Sequence, residues 1–434
     1  KVVSPYMPDE NLRLGSSYAP WSPKTHFAFE EDGGKMNHAL LRCVGVGRCR
    51  RLDGGTMCPS YQATREEEHS TRGRARLLFE MFQGRAIPAS WRNEAVKESL
   101  DLCLACKGCK GDCPTHVDVA TYKAEFLSHY YKGRMRPMGA YTMGLIYWWA
   151  GLASKTPRLV NAMMPMMRAF GGVAKERKMP RFATRTFRER FQPRASGERR
   201  VVLWPDTFNN HFHPETALAA VDVLERAGYS VTIPRKRVCC GRPLYDWGFL
   251  DRAKKLLRET MDVLAPEINA ETPIIGLEPS CVSVFRDELQ NLFPRDIRAG
   301  KLAHSVMTLS ELLVRDNIPL PSLKRKAIVQ AHCHHKAIMR FDAHEAVLRG
   351  IGLDLTHPDS GCCGMAGAFG FEEKNYELSM NIGNRVLLPM VRESSEDTLI
   401  LADGFSCREQ IEQATGRKTL HFAEVMKLAY DASR

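Results

Sequence analysis

The sequence has 434 residues, of which 44% are hydrophobic, too long for one core and apolar enough for several, so a disordered chain is excluded. Its fourteen cysteines fall in metal-ligand spacings and no signal peptide precedes them, which excludes a secreted disulfide scaffold and favours a reducing cytoplasm. The net charge of +12 is local: from Arg134 to Arg200 there are fifteen Lys or Arg against three acidic residues, so the remainder is neutral and no nucleic-acid partner is expected.

Residues 1–36 are rich in Pro, Asp and Asn (Pro5, Pro8, Asp9, Asn11, Pro20, Pro23) and read as a connector. The chain begins Lys1-Val-Val-Ser-Pro without methionine, so a preceding segment is left open. Residues 37–134 carry two cysteine runs. The first is Cys43-Val-Gly-Val-Gly-Arg-Cys49 followed, after an insert, by Met57-Cys58-Pro59. Thr71–Phe82 then reads as a helix with Leu77, Leu78, Met81 and Phe82 on its inner face. Its arginines Arg72, Arg74 and Arg76 are expected in solvent, the alternative being docking of a flavin domain or tuning of a cluster. The second run is Cys103-Leu-Ala-Cys106-Lys-Gly-Cys109-Lys-Gly-Asp-Cys113-Pro114, in which gaps of two, two and three residues closed by proline are similar to the iron-sulfur run of bacterial ferredoxins. Zinc sites favour two separated pairs instead.

In two-cluster ferredoxins the fourth cysteine of each run serves the other cluster. Crossing the runs in that way gives one complete site from Cys103, Cys106, Cys109 and Cys58. The other contains Cys43, Cys49 and Cys113, with its second place falling on Val46, and is expected to hold a 3Fe-4S cluster, or a 4Fe-4S cluster with a non-cysteine or bent-loop ligand. Asp118 caps a helix in which Val119, Tyr122, Phe126 and Tyr130 recur at helical spacing. The expectation is an α-helical ferredoxin-like domain with two 4Fe-4S-type runs.

Residues 135–198 form a basic, Met- and Trp-rich helical segment. Its uncharged stretch 137–154 is barely long enough to span a bilayer and contains three glycines. An interfacial element with Tyr147, Trp148 and Trp149 at headgroup level suits it better, the alternative being a Met-rich pair packed on a neighbouring domain.

From residue 199 strands alternate with helices, twice. Residues 199–317 read as strands at 200–204, 229–233 and 273–277, with Cys239-Cys240-Gly241 and Cys281 after the second and third. Residues 318–434 read as strands at 327–331, 353–356 and 398–402, with Cys333, Cys362-Cys363-Gly364 and Cys407 after them in turn. Cys239 and Cys362 are 123 residues apart. Such grammar implies two cysteine-rich α/β repeats with parallel sheets, whose cysteines converge at the carboxyl ends of the strands. The second repeat has four cysteines. The first has three, and its missing leading place falls near Asp206. For these residues a metal cluster, a redox-active thiol pair, a zinc site helped by His332, His334 or His335, and plain structural cysteines all remain open. The three histidines are expected to be hydrogen-bonded loop residues, one of them placed as a proton relay near a quinone.

Lys1-Val-Val-Ser-Pro-Tyr and Asp9-Glu-Asn-Leu-Arg-Leu-Gly15 resemble the closing segment of FAD-linked oxidases, and Met57-Cys-Pro-Ser-Tyr61, Ser70-Thr-Arg-Gly-Arg74 and Gly361-Cys-Cys-Gly-Met-Ala-Gly367 resemble the iron-sulfur half of FAD-linked 2-hydroxyacid dehydrogenases that follows it. That group is similar to the glycolate oxidase iron-sulfur subunit, to the iron-sulfur component of anaerobic glycerol-3-phosphate dehydrogenase and to the component of heterodisulfide reductase that carries Cys-Cys-Gly repeats. The resemblance implies an FAD-binding domain upstream or on a partner that oxidises a D-2-hydroxy acid. Clusters on this chain would then pass electrons to a quinone or another acceptor. The cysteine usage points to the cytoplasm, and the basic segment to an acidic partner, either an acidic protein face or an anionic membrane surface that would hold the protein on the cytoplasmic face of the inner membrane. The alternative is a thiol-disulfide oxidoreductase acting through Cys362 and Cys363.

Overall fold

The computed structural model describes Leu14, residues 18–194 and residues 197–433. The readings made on residues 1–13, including the Lys1 to Tyr6 resemblance, lie outside the described residues.

Two four-stranded parallel sheets frame the molecule. The first contains β1 (Arg199–Trp204), β2 (Tyr229–Thr232), β3 (Ile274–Gly276) and β4 (Val306–Thr308) in the order β2-β1-β3-β4. The second contains β5 (Lys326–Gln330), β6 (Asp354–Thr356), β7 (Leu399–Ala402) and β8 (Thr419–Leu420) in the order β6-β5-β7-β8. Helices cover both faces, so Val201, Val202, Leu203 and Trp204 of β1 are all buried, as a parallel strand requires. Helix Pro214–Arg226 of the first repeat packs against helix Phe422–Ala432 of the second, and Ala217, Ala220, Ala423 and Met426 share one core. Strands β4 and β8 have no counterpart in the sequence reading, because three and two residues are too few to show an alternation. Their parallel places are marked instead by capping boxes, Thr308 with Glu311 and His421 with Glu424.

The repeats match in detail. Gly241 and Gly364 have φ of 78° and 91°, a region that only glycine enters freely, and their N–H groups point at Sγ of Cys239 and Cys362 over 3.4 Å in both copies. Counted from the strand ends, Cys281 after β3 stands where Cys407 stands after β7, and Thr207 after β1 stands where Cys333 stands after β5. The Thr207 hydroxyl donates to Cys239 Sγ at 3.9 Å. Asp206, near which the sequence reading put the missing place, instead caps the next turn by accepting from the N–H groups of Phe208 and Asn209 at 2.9 and 3.0 Å.

The ferredoxin-like region packs helix Thr71–Gln83 on Glu94–Asp101 and Val119–Tyr130, each opened by a side-chain cap from Ser70, Asn93 and Asp118. Arg74 departs from the expectation of a solvated arginine. It is buried and donates to the Ser99 carbonyl at 2.8 Å and the Ser60 hydroxyl at 2.9 Å, joining helix Glu94–Asp101 to helix Pro59–Thr64, which follows Cys58. Residues 18–35 also do more than connect. The N–H groups of His26 and Phe27 donate to the buried Glu125 carboxylate at 2.8 and 2.9 Å, and Ala28 N–H donates to Asn291 O at 2.8 Å, so this strap joins the ferredoxin-like region to the first repeat.

The segment 135–198 supplies helices Met138–Thr142, Ile146–Ala153, Pro157–Phe170 and Phe187–Arg190. The uncharged stretch is broken after Thr142, and among the described residues no helix is long and apolar enough to cross a membrane. Arg136, donating to the Trp247 and Gly248 carbonyls, and Tyr147, donating to the Arg237 carbonyl, tie it to the first repeat.

The match between the repeats predicts that Thr207→Cys completes a fourfold thiol set in the first repeat. Titrated with cobalt(II), this variant gains about one equivalent of thiolate-to-metal absorption over the parent, whereas Asp206→Cys gains none; equal behaviour of the two variants would refute the register.

Candidate metal centres

The carboxyl ends of β5, β6 and β7 bring Cys333, Cys362, Cys363 and Cys407 together, all buried. Their thiols form a chain of contacts, Cys333 to Cys362, Cys362 to Cys363, and Cys363 to Cys407. The contact with Cys362 lowers the pKa of Cys333, contacts with Cys362 and Cys407 lower that of Cys363, and the same contacts raise those of Cys362 and Cys407. His334 Nδ1 lies 3.7 Å from Cys333 Sγ, and its N–H donates to His332 Nδ1 at 3.2 Å. Burial lowers the His334 pKa to about 4, so this imidazole is neutral. His332, Cys333 and His334 form one potential ligand group, while His335 points into a different cluster.

The first repeat gathers Cys239, Cys240 and Cys281, with the Cys240 and Cys281 sulfurs 3.0 Å apart. Cys240 donates to Cys281, yet burial and the nearby Asp206 carboxylate push Cys281 up to about 12. Two carboxylates, Asp206 and Glu278, face this set and oppose further negative charge.

In the ferredoxin-like region the loop around Cys103, Cys106 and Cys109 turns on residues of positive φ, Ala105 at 48° and Lys107 at 59°. Non-glycine residues pay for this conformation, and the backbone N–H groups of Gly108 and Val119 reach Cys106 and Cys109, where they favour thiolate charge. Cys58, with φ of 58°, receives the Thr71 N–H at 2.8 Å and meets its hydroxyl at the same distance. Cys58 stands between the two runs, in hydrogen-bond contact with Cys49 and close to Cys109. The Cys58 contact lowers the Cys49 pKa to about 6. Val46 is 62% exposed and takes no part. Cys43 lines a cleft with Gly45, Glu67, Glu68 and Arg72, and Cys113 meets the Thr115 hydroxyl at 3.3 Å. Thiolates presented by strained, N–H-lined loops fit iron-sulfur ligation.

The two regions meet at their cysteines. Cys106 is near enough to Cys333 for each thiolate to disfavour the other. Gly111 seats directly on Ala337, where an added Cβ would come within 2.9 Å of the backbone. Lys107, between Cys106 and Cys109, is fully buried and binds Asp118 at 2.7 Å, Asp287 at 2.8 Å and Glu288 at 3.4 Å. Arg242, which follows the first Cys-Cys-Gly, pairs with Glu288 at 3.0 Å and donates to the Ala105 carbonyl at 2.8 Å. Sequence reasoning missed this network, since Asp287 and Glu288 are remote in the chain; the arginine directly after Cys-Cys-Gly was the one available signal.

Above the second cysteine set lies a cavity of about 160 Å³. Its floor is Cys333, Cys362, Cys363 and Cys407, and Met143, Ile146, Met164 and Phe182 of the basic segment form its roof. Arg242, His332 and His334 supply polar groups at its edge.

A family model described as a 4Fe-4S dicluster domain matches residues 39–117, and one described as a cysteine-rich domain matches residues 206–286. The D-2-hydroxyglutarate dehydrogenase of Pseudomonas putida is 29% identical over 443 residues, covering 89% of this chain and 43% of the relative. One component of the anaerobic glycerol-3-phosphate dehydrogenase of Escherichia coli is 29% identical over 256 residues, covering 56% of this chain and 64% of the relative. The glycolate oxidase iron-sulfur subunit of Escherichia coli is 23% identical over 407 residues, covering 90% and 94%. The chain spans less than half the length of the D-2-hydroxyglutarate dehydrogenases it matches. This chain thus contains a 4Fe-4S dicluster domain followed by a cysteine-rich domain, and its homologues are iron-sulfur subunits and dehydrogenases of the glycolate, glycerol-3-phosphate and D-2-hydroxyglutarate types.

Proposed function

We propose that this chain is the electron-transfer module of a flavin-dependent D-2-hydroxyacid dehydrogenase, receiving electrons from an FAD domain upstream or on a partner subunit. The observation that carries this reading is the seating of the second cysteine run on the second repeat, where Gly111 packs on Ala337 and the charge of Cys333 reaches Cys106, which puts the ferredoxin-like loops and the second repeat on one path. Cys103, Cys106, Cys109 and Cys58 would hold one cluster, Cys43, Cys49 and Cys113 a second, and Cys333, Cys362, Cys363 and Cys407 a third metal centre. Such centres, when bound, supply the one-electron carriers that a two-electron flavin needs. The chain's own residues set the conditions: the N–H groups of Thr71, Gly108 and Val119 stabilise thiolate charge on Cys58, Cys106 and Cys109, and Lys107 and Arg242 place two cations beside the Cys106 loop.

The apolar cavity over the second cysteine set fits a flat, hydrophobic acceptor such as a quinone headgroup better than a charged disulfide. His334, neutral and with its Nε2 unpartnered among the described residues, is placed to exchange a proton there. The cavity's roof continues into an outer face where Trp149, Leu159, Met163 and Met166 are exposed beside the arginines of the basic segment. That combination suits an anionic lipid surface, from which a quinone would enter.

Two outcomes are expected. The anaerobically reconstituted chain is brown, with EPR signals of which one set is lost in Cys106→Ser; a colourless, iron-free chain would overturn the proposal. In flotation assays the chain binds vesicles containing anionic lipid, and Leu159→Ser with Met163→Ser weakens that binding more than about tenfold, while unchanged flotation, or equal binding to neutral vesicles, would remove the membrane from the account.

A further inference from the structure

On the far side of the second repeat's strand ends lies a buried side-chain cluster that the electron path does not use. We propose that His335, His344 and Asp403 form a zinc(II) site that ties the loop carrying Cys333 to the loop carrying Cys407. His335 opens a π-helical turn two residues after Cys333, His344 lies in helix Asp342–Gly350, and Asp403 directly follows β7. One donor atom from each lies within 4.8 Å of the others, and His344 Nδ1 is 3.5 Å from Asp403 Oδ2.

The histidines are 1% and 2% exposed, and Nδ1 of each lacks a hydrogen-bond partner among the described residues. A buried polar nitrogen left open costs free energy, so two of them facing one carboxylate call for a ligand. Their ring centroids are 5.2 Å apart at an interplanar angle of 89°. Two imidazoles on one zinc through bonds of about 2.0 Å at a tetrahedral angle have centroids about 5 Å apart. The carboxylate is held from behind. Phe422 N–H donates to Asp403 Oδ1 at 2.9 Å, and His421 Nε2 stands 3.6 Å from the same oxygen. Both His421 nitrogens are already engaged, by Ala423 N–H and the Leu277 carbonyl, so His421 supports the site from outside while Oδ2 remains for the ion.

The first repeat shows what this position demands. Counted from the strand ends, the counterpart of His335 is Asn209, and Thr216 holds the third place of its helix as His344 does of its own; a cation fills the space between Asn209 and Thr216, where Arg408 of the second repeat donates to Asn209 Oδ1 at 3.2 Å and to Thr216 Oγ1 at 3.1 Å. The counterpart of Arg408, one residue past Cys281, is Val282, which brings no charge to the second repeat. The counterpart of Asp403 is Leu277. So the second repeat has added a carboxylate and two open imidazoles where its twin holds a guanidinium. Arg286, whose charge reaches His335, is already paired with Glu311 at 2.7 Å. Two nitrogens and one oxygen suit zinc, with water free to take the fourth place. The ion would fix the loops of the first and last cysteines of the complete set, a constraint that the three-cysteine repeat lacks. The site stands independently of the electron-transfer reading.

The full chain, loaded anaerobically with iron and sulfide and treated with a chelator, is given one equivalent of zinc(II) and examined at the zinc absorption edge. The expected spectrum has only nitrogen and oxygen neighbours at about 2.0 Å, without sulfur at about 2.3 Å. Zinc retention falls at least about tenfold in Asp403→Asn and in His344→Phe with cluster absorbance unchanged. Zinc bound through sulfur, no zinc retained by the parent chain, or equal retention in both variants would overturn the proposal. The parent spectrum decides the question even where a variant fails to fold.

Discussion

The structure depends on a buried charge cluster at the back of one cysteine loop. Lys107 lies within the run Cys106 to Cys109, and its ammonium is enclosed by Asp118 of the same domain and by Asp287 and Glu288 of the first repeat. Burial alone would disfavour that ammonium, but the three carboxylates outweigh it and raise its pKa. Lys110 and Arg242 complete the cluster, and Arg242 also meets Asp246 at 3.4 Å, so three cations face four carboxylates. Such an assembly contributes little net stability compared with a packed apolar core, but removing one partner costs about 3–5 kcal/mol because the others are left unpaired. Its effect here is geometric. It fixes the Cys106 loop against the first repeat, and no rotation of the ferredoxin-like region on that repeat can occur without stranding a buried charge.

Much of this organisation was legible. Two ferredoxin-type runs and a duplicated Cys-Cys-Gly grammar follow from spacing, because loops that wrap a small ligand set constrain the sequence locally. Six of the eight strands were visible as apolar runs, whereas β4 and β8 are too short to carry a pattern. What the sequence hid depends on contacts between distant segments. Arg74 looked like one solvated arginine among three, and its carbonyl and hydroxyl partners lie on two other helices. Residues 18–35 looked like a connector because their anchor, Glu125, is nearly a hundred residues away. The shift from Asp206 to Thr207 was a one-residue ambiguity, settled only when the strand ends could be superposed.

The two repeats share a frame and differ in the chemistry it carries. Both hold a cysteine pair over a left-handed glycine, and both end a strand five residues before a third cysteine. The first has threonine in the leading place and carboxylates around its sulfurs. The second has four contacting thiols, an apolar cavity above them and the histidine and aspartate cluster beneath. Duplication therefore leaves one copy as a buttress for Lys107, through Asp287 and Glu288, and the other as the end of the proposed path. The Met-rich segment bridges them by roofing the second site while anchored on the first.

The central claim is that the Cys106 loop and the second repeat's cysteines are adjacent stations on one electron path. EPR of the fully reduced chain tests it most directly. Adjacent paramagnetic centres broaden each other, so the account predicts a spin-coupled spectrum that simplifies to isolated signals in Cys407→Ser. A parent spectrum equal to the plain sum of separate, uncoupled centres would contradict it.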